Sequence, residues 1–307
     1  YRRGELPLPV TPPGATFDVT SYGADAAGAA DSTLAIQAAI DAAETAGGGI
    51  VWMPAGLYQV SPQAGTGACL TIEGSGVVLR GAGVGQTFLL NTETMMRQAV
   101  IIDIKGPSNA AWATGLSPNT PITTDLTSPT TQIPVTDTAG FSVGMEVPTR
   151  YALKTRDTSR VYRKDTLNRE NGLEDFSIGN VQHPGTTGWG DTDYLTEGNS
   201  SYDVYASYAI RVRRVRDSWI RRVSTFQPVG IVFSHMASTG NVIHACTDKT
   251  TGKQTGNTGN QNTSGKGSDH HMRFSHSNLI DVCVADDSWF EARNRPYGSD
   301  PMHNLTA

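Results

Sequence analysis

Cysteine is scarce in this chain: Cys69, Cys246 and Cys283 are the only three in 307 residues. An odd count this small excludes a disulfide framework. Together with seven histidines they show no CxxC or HxxxH spacing of a zinc site, so no metal ligand is assigned. Aromatic residues are also few, at 7%. No apolar run reaches the ~18 residues of a membrane-spanning helix, so no membrane partner is expected. The net charge of −5 gives no electrostatic case for nucleic acid or an anionic membrane. What is abundant is Gly (33) and Pro (16), with many Thr, Ser and Asn. That composition suits short strands joined by turns and not a helical bundle. The chain opens at Tyr1 without Met and without an apolar leader core, as expected when a signal peptide has been removed.

The most informative stretch runs from Phe17 to Ser61. Asp31 or Ser32 can cap the start of a helix by accepting from its first N–H groups. Ile36, Ile40 and Ala43 share one apolar face, and Gly47–Gly49 stop the helix. The spacing predicts an amphipathic helix over 31–46 that blocks the open end of a solenoid and its unpaired strand edges. The pieces Tyr22-Gly23-Ala24, Asp31-Ser32-Thr33, Ala35-Ile36-Gln37, Ala46-Gly47-Gly48-Gly49 and Pro54-Ala55-Gly56-Leu57-Tyr58 occur in order. In that order they resemble the N-terminal signature of the pectate lyase superfamily, in its pectate-lyase-3-like form. The resemblance implies an all-β fold, a right-handed parallel β-helix with an N-terminal capping helix. It also implies a secreted, extracellular protein whose partner is a polysaccharide.

Strand-like runs follow at 49–53, 57–60, 68–73, 76–80, 87–90 and 99–104. The glycines of Gly81-Ala82-Gly83-Val84-Gly85 lead into a strand pattern, so they are not read as a nucleotide loop. Residues 106–171 break the pattern as a Thr/Pro/Ser-rich, β-rich insertion, and from 172 the coils resume. The expected organisation is therefore 1–46 with the cap, 47–105, the insertion 106–171, and 172–307. Three segments align without gaps: 218–223, 241–246 and 278–283. Ile220, Ile243 and Ile280 then form an inward ladder, Val223, Cys246 and Cys283 another, and Arg221, His244 and Asp281 an outward polar column. The stacked cysteines are either disulfide-bonded or a buried thiol pair. Upstream, Ile210-Arg211-Val212, Ile231-Val232-Phe233 and Met272-Arg273-Phe274 are matched, and Phe-Ser-His recurs at 233–235 and 274–276. A last rung begins near Met302 and stops, an expected surface for self-association or for another chain.

Elimination on an acidic glycan needs a cation at the uronate carboxylate, a base and a proton donor; hydrolysis needs two carboxyl groups. Asp269, His270 and His271 are the leading catalytic candidates, and Asp286 and Asp287 the second. The bland alternative for each is a polar turn. Arg211, Arg273, Arg293, His244 and Asp281 are candidate substrate contacts, and Ca²⁺ is a possible cofactor. Sequons stand at Asn199, Asn262 and Asn304, candidate glycosylation sites. Two functions are carried forward. One is a lyase or glycoside hydrolase working on an acidic glycan in a groove along the coils. The other is a non-catalytic structural or glycan-binding protein that assembles through its uncapped end.

Overall fold

The computed structural model describes residues 14–106, 116–126, 130–143, 145, 153–163, 168–190, 192–226, 231–236, 238, 241–249, 266–271, 279–286, 291–292 and 305–306. The chain divides into two compact units, one made of Tyr1–Gly106 with Asn168–Ala307 and the other of Pro107–Leu167.

The larger unit is a parallel β-helix. Successive coils lay parallel strands into three ladders. The first holds Ala15–Asp18, Gly49–Met53, Val77–Gly81, Gly172–Asn180, Trp219–Phe226, Val242–His244, Leu279–Asp281 and Leu305–Thr306. The second holds Ala27–Asp31, Gly56–Val60, Thr87–Asn91, the ends of Gly172–Asn180 and Trp219–Phe226, Thr247–Lys249 and Val284–Asp286. The third holds Ala68–Ile72, Val100–Lys105, Tyr208–Arg213, Ile231–Met236, Lys266–His271 and Glu291–Ala292. The six strands expected between 49 and 104 all form, with ends within one residue of those expected.

Side chains alternate across each strand, so every second position turns to the interior. In the first ladder Val51, Leu79, Leu173, Ile220, Ile243 and Ile280 fall in one register column. All six are buried, and full burial of each contributes about 1.5–3 kcal/mol. The third ladder contributes Leu70, Ile102 and Ile210 in the same way. The expected isoleucine column is present, and Cys246 and Cys283 beside it are both free thiols.

The helix spans Thr33–Thr45, and Ile36, Ala39, Ile40 and Ala43 are fully buried on one face. The Asp31 carboxylate accepts the Thr33 N–H at 2.8 Å. Ser32 holds the N-cap position, but its hydroxyl instead accepts from the Asp25 N–H. At the other end the Gly48 N–H donates to Ala43 and the Gly47 N–H to Glu44. This closing pair of bonds needs a left-handed residue, and Gly47 has φ +80°. The helix also covers the exposed edge of the third ladder. The Gln37 side chain bonds both the N–H and the C=O of Thr71, each at 2.9 Å, and the Glu44 carboxylate takes the N–H groups of Glu73 and Gly74.

Between the first and second ladders the coil turns sharply through one left-handed residue. Asp175, Arg222, Ala245 and Val282 occupy this corner on successive rungs with φ between 49° and 63°. Buried Asn171, Ser218 and Asn241 form a side-chain ladder at the preceding corner. Asn171 accepts the Val77 N–H, Asn241 accepts the Ser218 N–H, and the Ser218 hydroxyl accepts the Asn171 N–H.

One expected register is corrected. Ile210 pairs with Phe233 and then Ser268, and Arg211 with Ser234 and then Asp269; Ile231 and Met272 are not its partners. The strand after the Gly/Asn/Thr-rich stretch is Lys266–His271, almost wholly polar. Hydrophobic matching therefore slid past it to the apolar Met272-Arg273-Phe274. The repeated Phe-Ser-His is a coincidence, because 233–235 pairs with Ser268-Asp269-His270.

The smaller unit is built on an antiparallel pair, Leu116–Pro121 with Arg160–Arg163, plus a bridge from Ile122 to Val135. Asp125 accepts from both the N–H and the hydroxyl of Thr155 at 2.8 Å. Those bonds hold its carboxyl below the usual range.

Candidate functional site

The third ladder carries two register columns of chemistry-bearing residues. Thr71, Asp103, Arg211, Ser234, Asp269 and Glu291 share one register column. Lys105, Arg213, Met236 and His271 share the next. Equivalent residues on neighbouring rungs lie about 4.8 Å apart. Asp269 and His271 fall in the register columns of Arg211 and Arg213 two rungs on, with Ser234 and Met236 between. His270 differs, since its register partners through His235 are Val212 and Ile104, which belong to the buried core.

The best-defined chemistry here is an arginine pair on one carboxylate. Asp103 is 2% exposed. Arg211 reaches it through Nε at 3.2 Å and Nη2 at 3.0 Å. Arg213 approaches through Nε at 3.2 Å and makes a second, closer contact through Nη2. The forked geometry fixes both guanidiniums, and the Arg211 head also lies 5.2 Å from the Tyr208 ring centre. Among the described residues two guanidiniums share this one carboxylate, a local surplus of positive charge on the sheet.

Connection lengths single out the same sheet. The turns between the first two ladders are tight, whereas the third is entered through 61–67, 92–99 and 181–207. The smaller unit leaves the coil just after Val100–Lys105. Long connections beside a rigid sheet are where binding residues concentrate.

The first ladder carries a second polar column: Trp52, Arg80, Glu174, Arg221, His244 and Asp281. Arg221 was expected to lie in an exposed column. It is instead 6% exposed and bonded through Nε to Glu174, which is fully buried. Glu174 also meets Arg80 at 2.9 Å and Arg222 at 3.6 Å, so this part of the column is a structural ion cluster. His244 and Asp281 do pair, Nδ1 to Oδ2 at 2.8 Å. An ionised carboxylate only accepts, so the bond between them is carried by a proton on Nδ1.

Asp286 ends the strand Val284–Asp286, in register with Lys249. Asp287, Arg273, Arg293, Asn262 and Asn304 lie outside the described residues. The Asn199 side chain donates to the Asp193 carbonyl at 3.2 Å, and the sequon residues Ser200 and Ser201 are buried. Among the described residues no three His, Cys, Asp or Glu side chains gather at one point. No described helix is long and apolar enough to cross a membrane. Burial pushes the thiols of Cys69 and Cys246 up, which keeps them protonated and unreactive. The Cys283 thiol is lowered by its hydrogen bond from Cys246.

The sequence reading missed Asp103, Arg213, Glu174 and the His183–Asp203 pair, whose Nε2 and Oδ2 lie 3.1 Å apart. Asp103 carried a signal, an acid set among isoleucines in Ile101-Ile102-Asp103-Ile104. A buried charge is retained only with partners.

Comparison with known proteins agrees with this architecture. An alignment to mannuronan C5-epimerase AlgE1 of Azotobacter vinelandii is 50% identical over 76 residues, covering 24% of this chain and 5% of that protein. Alginate lyase 7 of the same organism is 49% identical over 75 residues, covering 24% of this chain and 8% of the lyase. The chain thus matches only a small part of these relatives' length. Among solved structures, a protein of Parabacteroides merdae provisionally assigned as a glycosyl hydrolase superposes with a TM-score of 0.53 at 11% identity, covering 95% of this chain and 96% of that one. The surface adhesin PfbA of Streptococcus pneumoniae gives a TM-score of 0.50 at 15% identity, covering 89% and 50%. At such identities these two likenesses speak to the fold alone. Residues 16–256 match the family described as "Rhamnogalacturonase A/epimerase, pectate lyase-like", and the chain belongs to that pectate lyase-like family.

Proposed function

We propose that this protein binds an acidic polysaccharide across its third ladder and acts on it at the carbon next to the uronate carboxylate. The observation that carries the reading is the Arg211–Asp103–Arg213 cluster, a fixed surplus of positive charge in register with Asp269 and His271. A guanidinium on the uronate carboxylate stabilises the negative charge that develops when the C5 proton is removed. Asp269 and His271 occupy the register positions from which a base and an acid would be supplied. The C5 proton passes to the base, and the electron pair left behind has two fates. Return of a proton to the opposite face inverts the centre; expulsion of the C4 oxygen, protonated as it leaves, breaks the chain and creates a C4–C5 double bond. Mannuronan and alginate, the polymers in the relatives' names, are of the acidic class this chemistry requires. Hydrolysis is a second reading with one observation in its favour. Asp269 and Glu291 are register partners on neighbouring rungs, two carboxyl-bearing positions of the number hydrolysis requires.

The test is incubation of the protein with polymannuronate, alginate, polygalacturonate and a neutral glucan, each with and without Ca²⁺, followed by mass analysis of fragments and magnetic resonance of the polymer. Unsaturated or epimerised products from an acidic polymer support the main reading, and saturated fragments support hydrolysis. Binding with unchanged polymer overturns the catalytic part and leaves a glycan-binding module, and the absence of both binding and turnover overturns the whole proposal. The proposal includes action outside the cell, tested by finding the protein in culture medium while a cytosolic marker stays in the cells.

A further inference from the structure

Two connections that lead into the third ladder, 92–99 and 181–207, meet at Arg97. Its Nη1 donates to the carbonyl oxygens of Tyr194 and Tyr202 at 3.2 and 3.0 Å. Its guanidinium carbon lies 3.7 Å from the centre of the Tyr202 ring and 4.9 Å from that of Tyr205. Tyr205 in turn stacks on Tyr194, with centroids 4.9 Å apart and planes 13° from parallel. The Gln98 N–H donates to the Tyr205 carbonyl at 2.8 Å, joining the two connections. Arg97 and the three rings are half-buried, and beside them Leu195 is 65% exposed.

Two features set this cluster apart from a core contact. Among the described residues no carboxylate meets Arg97, and its charge rests against ring faces and two carbonyl oxygens. Those partners orient a guanidinium without neutralising it. The stacked Tyr194–Tyr205 pair also carries an exposed apolar neighbour, where a rigid aromatic surface presents contact area at little entropic cost. A rigid cation beside half-exposed rings matches a ligand that has both a carboxylate and an apolar ring face.

We infer that Arg97 with the Tyr194–Tyr205 stack forms a separate subsite for one uronate residue of a bound acidic glycan. The inference rests on the proposed function and adds to it a place where chain length and charge are read. From Ala99, at the base of the cluster, to Asp103 is four residues along an extended strand, or about 13 Å. The subsite is therefore remote from the arginine pair and engages only a ligand long enough to reach both. Arg97 supplies the charge-assisted hydrogen bond, and Tyr194 and Leu195 contact the ring.

The test measures affinity of the whole chain for mannuronate oligomers of increasing length, and for the same oligomers with their carboxyl groups reduced to alcohols. Arg97→Gln should weaken binding of the longest acid oligomer about tenfold, the scale of one charge-assisted hydrogen bond. It should leave the shortest acid oligomer and the reduced oligomers unchanged. Arg97→Lys should recover part of the loss, and Leu195→Ser, at an exposed position, should weaken long acid and long reduced oligomers alike. If the wild type binds the acid oligomers and both Arg97→Gln and Leu195→Ser bind them equally well, this inference is wrong and the proposed function stands. If the wild type binds none of them, the functional reading itself fails. A uniform loss for all lengths in Arg97→Gln, with a lowered melting temperature, would show a purely structural arginine and overturn the subsite.

Discussion

Replacing Glu174 by Gln should destabilise the β-helix more than most single changes at a polar position. The carboxylate is fully buried and holds Arg80 at 2.9 Å, Arg222 at 3.6 Å and Arg221 through a close Nε contact. Arg221 is 6% exposed, so without Glu174 its charge is stranded. Removing one partner of a buried ion pair costs about 3–5 kcal/mol. Gln keeps one oxygen acceptor, and Arg80, whose side chain is 19% exposed, can turn to water. The lower end of the range, about 3 kcal/mol, is therefore expected. The double variant Glu174→Leu/Arg221→Met removes both charges and keeps comparable volume, and such replacements are often close to neutral. It should be at least about 2 kcal/mol more stable than Glu174→Gln, because no charge is left stranded. Urea unfolding followed by far-ultraviolet circular dichroism measures both through the shift in midpoint at constant slope. A single variant within about 1 kcal/mol of wild type, or a double variant no more stable than the single, would show that this cluster is not buried and interdependent.

Other outcomes follow from the same packing. Ile243→Ala, in the centre of the inward column, should cost about 2–5 kcal/mol through lost burial and the cavity left behind, read as a lowered urea midpoint. A Cβ at Gly179 would overlap the Phe226 carbonyl oxygen of the next rung, so Gly179→Ala should lower the melting temperature, whereas Gly65→Ala should act only through its left-handed φ of 84°. The Asp25 carboxyl is lowered by bonds from the N–H groups of Ala27, Ala30 and Ala29. Its contribution is thus present above the unfolded pKa of about 3.9 and lost as pH falls through the lower folded value. Asp25→Ala should flatten the acid limb of a stability–pH curve below about pH 4. Alkylation of protein unfolded without reductant should label all three cysteines, Cys69, Cys246 and Cys283; a mass two protons short would reveal a disulfide.

Much of the scaffold was legible because it repeats. The spacing of Ile220, Ile243 and Ile280 gave the register of the first ladder directly, since an apolar residue at a fixed place in each coil is what a shared core demands. The capping helix was legible for a local reason, as its start at Asp31, apolar face and terminating glycines lie within one short segment. The third ladder beyond Met236 was not, because Lys266–His271 carries almost no apolar residue to align. The arginine pair was hidden by distance: Arg211 and Asp103 are 108 positions apart, with the whole smaller unit between them. Arg221 was misplaced at the surface for the same reason, its partner Glu174 lying 47 residues upstream. In a solenoid an outward position is solvated only when the rungs above and below offer no countercharge.

Proton removal from carbon 5 of a uronate by residues of the third ladder is the step on which the proposed function rests. The direct measurement is incubation of polymannuronate with the protein in deuterated water, followed by magnetic resonance of the recovered polymer and fragments. The account predicts deuterium at C5 or a C4–C5 double bond, both lost in a variant carrying Asp269→Asn and His271→Gln and strongly reduced in Arg211→Gln. Polymer that binds the protein but emerges unlabelled and uncut, or labelling that survives all three substitutions, would contradict it.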